Sequence, residues 1–312
     1  MTDHSPVRYR REGQIAFIDI DNPPVNALSA AVRQGLAAAM AQLGQDNDAQ
    51  IAVLSCAGRT FIAGADISEF GKPPVAPFLP DVVALIEASE KPIVAALHGT
   101  VLGGGLEVAL GAHYRVALHG TRMGLPEVTL GLLPGAGGTQ RLPRLVGADA
   151  AIDLITSGRQ VDARKALELG LIDALAEDTD PRAAGEAGAL RLLSDGVGHR
   201  RLSEIPAPQV DADMIDAWRA KVAKSARGQV APLRALDTIV NGLTLPFDKG
   251  MAQERRAFLD LMQTPERAAL IHAFFAERRA AQQDDLTGAS SRPVQRVGIV
   301  GGGTMGQGIA AS

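Results

Sequence analysis

Two carboxylates, Glu107 and Glu127, stand among glycines and apolar residues in the stretch from Leu102 to Gly138. It contains Gly103-Gly104-Gly105-Leu106-Glu107, Leu125-Pro126-Glu127 and Gly131-Leu132-Leu133-Pro134-Gly135-Ala136-Gly137-Gly138. Carboxyl groups in apolar surroundings hold their protons more tightly than in water, so a pair of them can divide acid and base roles on one substrate. The glycine triplet opens the apolar run Leu106 to Ala112, the pattern of a tight turn feeding a helix N-terminus. Unpaired backbone N–H groups gather there and can hold a developing oxyanion. The plainer reading is a packing turn beside two solvated glutamates, and these features alone leave both readings open.

The elements around this stretch must aim it. Lys91-Pro92 introduces an apolar strand, Ile93 to Leu97, that delivers the chain into the glycine triplet. Strands are also expected over Gln14 to Ile20, Ile51 to Ser55 and Tyr114 to Leu118, from short apolar runs bounded by turn residues. Ser29 is placed to cap a helix over Ala30 to Leu43, in which Val32, Leu36, Ala39, Met40 and Leu43 share one face. Gly58 to Ile67 reads as a loop suited to close backbone approach, with Asp66 able to cap a short helix. Gly71 to Pro80 reads as an irregular loop before a helix over Val82 to Ala88. His98 and His113, next to apolar strands, read as satisfied core histidines. Helices are expected over Gly137 to Val146, Ala150 to Thr156 and Ala163 to Leu169, with a last strand over Leu171 to Leu175. This recurrence of strands and helices is an α/β arrangement with covered sheets, and from periodicity alone a doubly wound sheet.

Beyond Asp180 the strand signal stops. Pro181 to Ser194, Ala212 to Ser225, Leu233 to Asn241 and Phe247 to Met262 all read as helices. Another opens at Thr264-Pro265-Glu266 and runs to about Gln282. A linker, Asp284 to Arg292, precedes Gln295 to Val300, read as a strand. The turn Gly301-Gly302-Gly303-Thr304-Met305-Gly306 then matches G-x-G-x-x-G, a dinucleotide-binding pattern carried by Gly301, Gly303 and Gly306. The acidic residue expected to hold a ribose would lie past Ser312, so these residues do not make a complete nucleotide site.

Composition limits the partners. With 31 basic against 35 acidic residues, a net charge of −4 and only 8 Phe, 2 Tyr and 1 Trp, there is no signature of a nucleic-acid groove. A single cysteine, Cys56, rules out a disulfide within these residues and any cysteine metal cluster, which suits a reducing compartment. No apolar stretch reaches bilayer-spanning length and the N-terminus has no signal-peptide core, so no membrane role, no metal and an intracellular location are expected.

Three segments together resemble the enoyl-CoA hydratase/isomerase (crotonase) family over roughly Gln14 to Leu175. They are Phe61-Ile62-Ala63-Gly64-Ala65-Asp66-Ile67-Ser68-Glu69-Phe70, Leu102 to Leu110, and Gly124-Leu125-Pro126-Glu127-Val128-Thr129-Leu130-Gly131-Leu132-Leu133-Pro134-Gly135. Phe274-Phe275-Ala276-Glu277-Arg278 followed by Val297 to Gly308 resembles the linker and dehydrogenase start of fatty-acid β-oxidation multifunctional enzymes. Gly111 to Arg115 and Asp153 to Gly158 are similar to the peroxisomal bifunctional type and its bacterial relatives.

The resemblance implies a fold and a chemistry. The fold is α/β: a crotonase-like spiral of ββα units with a helical C-terminal region, a linker helix and the first strand and turn of a truncated Rossmann domain. The corresponding divisions are 1–190 for the core, 191–263 for the helical extension, 264–292 for the linker helix and linker, and 293–312 for the incomplete dinucleotide-binding start. Ala65 and Gly104 carry the oxyanion-hole N–H groups, and Ala65, Asp66, Ile67, Ser68 and Gly104 bind the acyl-CoA thioester. Glu107 assists attack of water at the β-carbon and Glu127 delivers a proton at the α-carbon. The implied activity is hydration of trans-2-enoyl-CoA to 3-hydroxyacyl-CoA, with Δ3-Δ2 isomerisation through Glu127. Hydration needs no cofactor, and NAD belongs to the missing dehydrogenase part. Two rivals are a crotonase-type acyl-CoA hydrolase and a non-catalytic acyl-CoA-binding module. No Gly-x-Ser-x-Gly or His-Glu-x-x-His motif is present to carry nucleophilic or zinc hydrolysis. Family members include both oligomers and monomers, and a thiolase is a partner in β-oxidation complexes. A cytoplasmic location is expected, or a peroxisomal one in a eukaryote.

Overall fold

The computed structural model describes residues 5–66, 69, 72–177, 179–281 and 293–311. It divides into a body, Met1–Ile271, and a smaller unit, His272–Ser312. The body's main sheet has the order β1-β2-β3-β4-β6-β9. β1 (Val7–Glu12) runs antiparallel to β2 (Ile15–Ile20). From β2 onward β3 (Ile51–Cys56), β4 (Ile93–Leu97), β6 (Tyr114–Leu118) and β9 (Ala174–Ala176) pair in parallel. Every residue of β3 and β4 is buried, because both faces are covered. On one face Phe17, Val53, Val94, Ala96 and Val116 pack under α7 (Pro181–Ser194). The intervening residues Ala16, Ile18, Ala52, Leu54, Ala95 and Leu97 enter the main core. α7 lies close to the sheet because Gly185 and Gly188 face it. A Cβ at Gly185 would stand 2.5 Å from Val53 Cγ1.

A second sheet accounts for the difference from a doubly wound sheet. β5 (Thr100–Leu102) pairs in parallel with β7 (Arg122–Gly124), and β7 is antiparallel to β8 (Val161–Asp162). An isolated bridge joins Ile62 to Val101 in the same sense. The chain therefore places one strand in the main sheet, turns, places a short strand in the second sheet and enters a helix. It does so through β4, β5 and α3 (Gly104–Gly111). It repeats the step through β6, β7 and the 3-10 helix Glu127–Leu130 that leads to α4 (Gly138–Val146). These are the strand-strand-helix turns implied by the family resemblance. Strands of two or three residues carry no readable alternation, so hydrophobic period alone could not reveal them.

α1 (Ala30–Gln45) starts at Ser29, whose side chain accepts from Val32 N. α2 (Leu79–Glu87) begins earlier than expected, with the Asp81 carboxylate accepting from Phe78 N. α5 (Ala148–Ser157) and α6 (Ala163–Glu168) follow α4 as expected, but the last strand is Ala174–Ala176 rather than Leu171 to Leu175. Leu171 and Ile172 are instead buried in the core before it. β1 was not anticipated: Arg8, Arg10 and Arg11 alternate poorly, and it is an edge strand whose side chains are largely exposed. The helical region comprises α8 (Ala212–Ala226), α9 (Val230–Thr244), α10 (Phe247–Met262) and α11 (Pro265–Ala281). Its first three helices bury Trp218, Val222, Leu236, Ile239, Ala257 and Leu261.

The smaller unit contains the end of α11 and α12 (Thr304–Ala311). Gln295 to Val300, expected as a strand, is irregular. A strand is held by its ladder, and among the described residues of this unit there is no second strand to pair with. The turn does form: Gly301 has φ 106°, α12 starts at Thr304, and a Cβ on Gly306 would collide with the Gly301 carbonyl. The linker over 284–292 lies outside the described residues.

Candidate active site

α3 is aimed by both of its ends. At its start, Gly103 adopts φ 54° and ψ −129°, and a Cβ there would sit 3.0 Å from Glu127 Oε1. A side chain is thus excluded both by backbone conformation and by the second carboxylate. At Gly104 a Cβ would reach within 2.7 Å of Leu79 Cδ2, and at Gly105 it would meet the Ile62 carbonyl. The triplet lets helix, loop and carboxylate approach one another. At its far end, the buried Arg115 guanidinium donates to the Ala112 and Ala109 carbonyls, the last acceptors of the helix, and to Leu171 O.

Gly104 N is the first N–H of α3, and a Cβ on Gly104 would be 3.7 Å from Ala65 N. Ala65 is held by the loop 61–65, where Leu28 N donates to the Gly64 carbonyl and Leu102 N to that of Ile62. Among the described residues neither N–H is taken by a protein acceptor. Both can therefore donate to one oxyanion placed between them. Asp66 follows on the same loop, and its carbonyl accepts from Glu69 N. Ile67 and Ser68, also expected to bind substrate, lie outside the described residues.

The two carboxylates have unequal surroundings. Glu107 is buried in α3, and its Oε1 accepts from Ala136 N at 2.7 Å and Gly138 N at 2.9 Å. Burial raises its proton affinity, while these two donors and the nearby Arg141 oppose the rise. Glu127 opens the 3-10 helix, and its inaccessible Oε2 has no hydrogen-bond partner among the described residues. Burial and the charge of Glu107 push its pKa well above the ordinary carboxylate value. Both carboxyls are shifted upward, and Glu127, with no donor to its Oε2 and the charge of Glu107 beside it, holds its proton more tightly than Glu107 does. His98 and His113 take no part in it. Burial lowers both pKa values, and the His113 ring is engaged by Ile93 N and the Glu87 carbonyl.

Sequence reasoning missed three supports. The turn 136–139 supplies the donors to Glu107, and a third buried carboxylate, Glu254 of α10, grips the same turn through Gly137 N at 2.6 Å and Thr139 N at 2.9 Å. Glu254 shares the buried stripe Gly250, Glu254, Ala257 and Leu261, a face that its polar neighbours Gln253, Arg255 and Arg256 mask in the sequence. Arg141 forms a buried 2.7 Å pair with Glu87 and donates to the Ala136 carbonyl. Arg33 donates to Glu69 and to the Val75 and Pro77 carbonyls, tying the loop after Asp66 to α1. Among the described residues no group of three His, Cys, Asp or Glu could hold a metal ion, and no helix is long and apolar enough to cross a membrane.

Residues 10–184 match the family model described as enoyl-CoA hydratase/isomerase. The chain is 43% identical over 305 residues to a peroxisomal bifunctional enzyme of Danio rerio, aligning 96% of this chain with 42% of that protein. With the Homo sapiens peroxisomal bifunctional enzyme it is 41% identical over 312 residues, 97% of this chain and 43% of that protein. It thus spans less than half the length of these curated relatives. Among solved structures it is similar to carnitinyl-CoA hydratase from Mycobacterium avium, with a TM-score of 0.67 and 26% identity over 88% of this chain and 97% of that one. Since the matched region carries the two carboxylates and the glycine triplet at 103–105, the chain belongs to the enoyl-CoA hydratase/isomerase family.

Proposed function

We propose that the chain hydrates trans-2-enoyl-CoA thioesters to 3-hydroxyacyl-CoA. The observation that carries this reading is the pair of carboxyls in unequal surroundings, Glu127 holding its proton more tightly than Glu107, beside two N–H groups free to hold an oxyanion. The thioester carbonyl oxygen binds Ala65 N–H and Gly104 N–H, which draws electrons from the conjugated double bond. Glu107 takes a proton from water as the water oxygen bonds to the β-carbon. The π electrons move toward the carbonyl, giving an enolate oxyanion in the N–H pair. Glu127 then gives its proton to the α-carbon. Return of a proton from Glu107 to Glu127 resets the pair, so hydration consumes one water and no cofactor.

Glu127 also supports a second reaction, Δ3-Δ2 isomerisation. In its deprotonated form the carboxylate, whose Oε2 has no partner among the described residues, can take a proton from one carbon and return it to another while the same N–H pair holds the enolate. The loop from Ala65 through Ser68 is proposed to line the CoA groove.

The wider protein is proposed to be a β-oxidation multifunctional enzyme, divided as 1–190, 191–263, 264–292 and 293–312 within this chain. Gly301, Gly303 and Gly306 suit the pyrophosphate of NAD, because the turn leads to the N-terminus of α12 with a glycine where helix and turn touch. NAD would accept hydride in an oxidation carried by the rest of that domain. A thiolase partner, assembly as a homo-oligomer or monomer, and a peroxisomal or cytoplasmic site belong to the same proposal. Hydration is tested by following loss of the conjugated-thioester absorbance of a short trans-2-enoyl-CoA and identifying the product. 3-Hydroxyacyl-CoA is expected, whereas free CoA thiol would identify a hydrolase.

A further inference from the structure

The turn between Leu133 and α4 is held by two carboxylates on alternate residues. Ala136 N and Gly138 N donate to Glu107 Oε1, while Gly137 N and Thr139 N donate to Glu254, on Oε1 and Oε2 respectively. The Thr139 hydroxyl lies 2.5 Å from Glu254 Oε2 and accepts from Gln140 Nε2 at 3.0 Å. Glu254 is fully buried and comes from α10, in the helical region rather than the spiral. The fit is close on both sides. A Cβ on Gly138 would stand 3.1 Å from Glu107 Oε1, and at Gly242 or Gly250 it would strike the Gln140 amide.

We infer that Glu254 is a positioning residue for Glu107: by fixing Gly137 and Thr139 it aims the Ala136 and Gly138 N–H groups at the carboxylate that activates water. The inference rests on the hydratase reading for its kinetic test. Adjacent peptide units in a turn share Cα atoms and dihedrals, so release of the Glu254 side loosens the donors on the Glu107 side. Glu107 would then lose orientation without losing its own atoms. The same contact makes the helical region part of the catalytic apparatus, because α10 reaches the Glu107 turn through this buried carboxylate as well as through Met251 and Phe258.

The test compares the full chain with Glu254→Gln, Glu107→Gln and the double variant, using a short trans-2-enoyl-CoA. Glutamine cannot accept from both sides of the turn, since one terminal group is a donor. In Glu254→Gln, kcat is expected to fall about 10- to 100-fold with KM within about threefold, the pattern of lost transition-state alignment. If Glu254 acts through Glu107, the double variant will be no slower than Glu107→Gln alone. Wild-type kcat in folded Glu254→Gln, or multiplying losses in the double variant, would overturn the assignment. If Glu254→Gln does not fold, Thr139→Val removes one partner of Glu254 and leaves both carboxylates. A several-fold loss of kcat is expected there, and wild-type kcat would refute the inference. Infrared titration of the Glu107 carboxyl reads the coupling without turnover. A displaced titration in either folded variant is expected, and a superimposable one counts against the inference. A displaced titration in the variants, together with a folded wild-type chain that hydrates nothing, would fail the hydratase reading alone.

Discussion

Glu107 and Glu127 are close enough for the charge on one to hold the proton on the other, yet their hydrogen bonding is opposite. Glu107 Oε1 accepts two backbone N–H groups, and Glu127 Oε2 has no partner among the described residues. That asymmetry supports the proposed roles, Glu107 as base and Glu127 as acid. It also fixes how rate must depend on pH. The rising limb of kcat/KM reports ionisation of Glu107, above its ordinary value of 4.5, and the falling limb reports loss of the proton from Glu127, well above that value. A profile without a basic limb, or with one at 4.5, would contradict the assignment.

Glu254 gives a separate pH signature in stability. Burial and the charge of Glu107 raise its folded-state pKa to about 8, from an ordinary 4.5. Between those values the native protein keeps a proton that the unfolded chain has lost, so stability from this group is present below 4.5 and declines as pH rises through about 8. Urea unfolding midpoints measured across this window should fall less steeply in Glu254→Gln than in the wild type. Parallel curves would show that Glu254 does not titrate there.

Gly103→Ala tests the glycine turn. The substitution forces a side chain onto a φ of 54° and places its Cβ 3.0 Å from Glu127 Oε1. A stability cost of about 1–3 kcal/mol is expected for the strained backbone. A disproportionate loss of kcat should accompany it, because the substitution displaces both Gly104 N and Glu127. An active, equally stable variant would mean that the turn adjusts freely.

Arg141→Met removes one partner of a buried ion pair and leaves Glu87 without its guanidinium. Loss of about 3–5 kcal/mol is expected from denaturant unfolding, since an uncompensated buried charge is costly. Arg141 also lowers the Glu107 pKa, so the acid limb of the pH profile should move to higher pH. A limb that stays in place would show that Glu107 is governed by its backbone donors alone.

Much of this arrangement was legible in the chain. The glycine triplet before an apolar helix pointed to free N–H groups at a helix N-terminus, their pairing with Ala65 coming only from the family resemblance, and the isolation of Glu107 and Glu127 among apolar residues pointed to perturbed carboxyls. Ser29 was readable from its capping chemistry, and the strand Ile93–Leu97 and helix Phe247–Met262 from their apolar pattern. The second sheet was not, because β5, β7 and β8 are too short to show a period. Glu254 was not either: a glutamate in the polar sequence Gln253-Glu254-Arg255-Arg256 reads as solvated until tertiary packing turns that face inward. Gln295 to Val300 has the composition of a strand, but strand formation depends on a partner that local sequence does not supply.

The most direct test of the account is hydration of a short trans-2-enoyl-CoA by the wild-type chain, Glu107→Gln and Glu127→Gln, each checked for folding and thioester binding. Each substitution keeps shape and removes the titrating group. Wild-type formation of 3-hydroxyacyl-CoA is expected, with kcat lowered about 10²–10⁴-fold in each variant, the contribution typical of a positioned acid or base. Hydration that persists undiminished without either carboxylate, or a folded wild-type chain that binds the thioester and leaves it unchanged, would contradict the account.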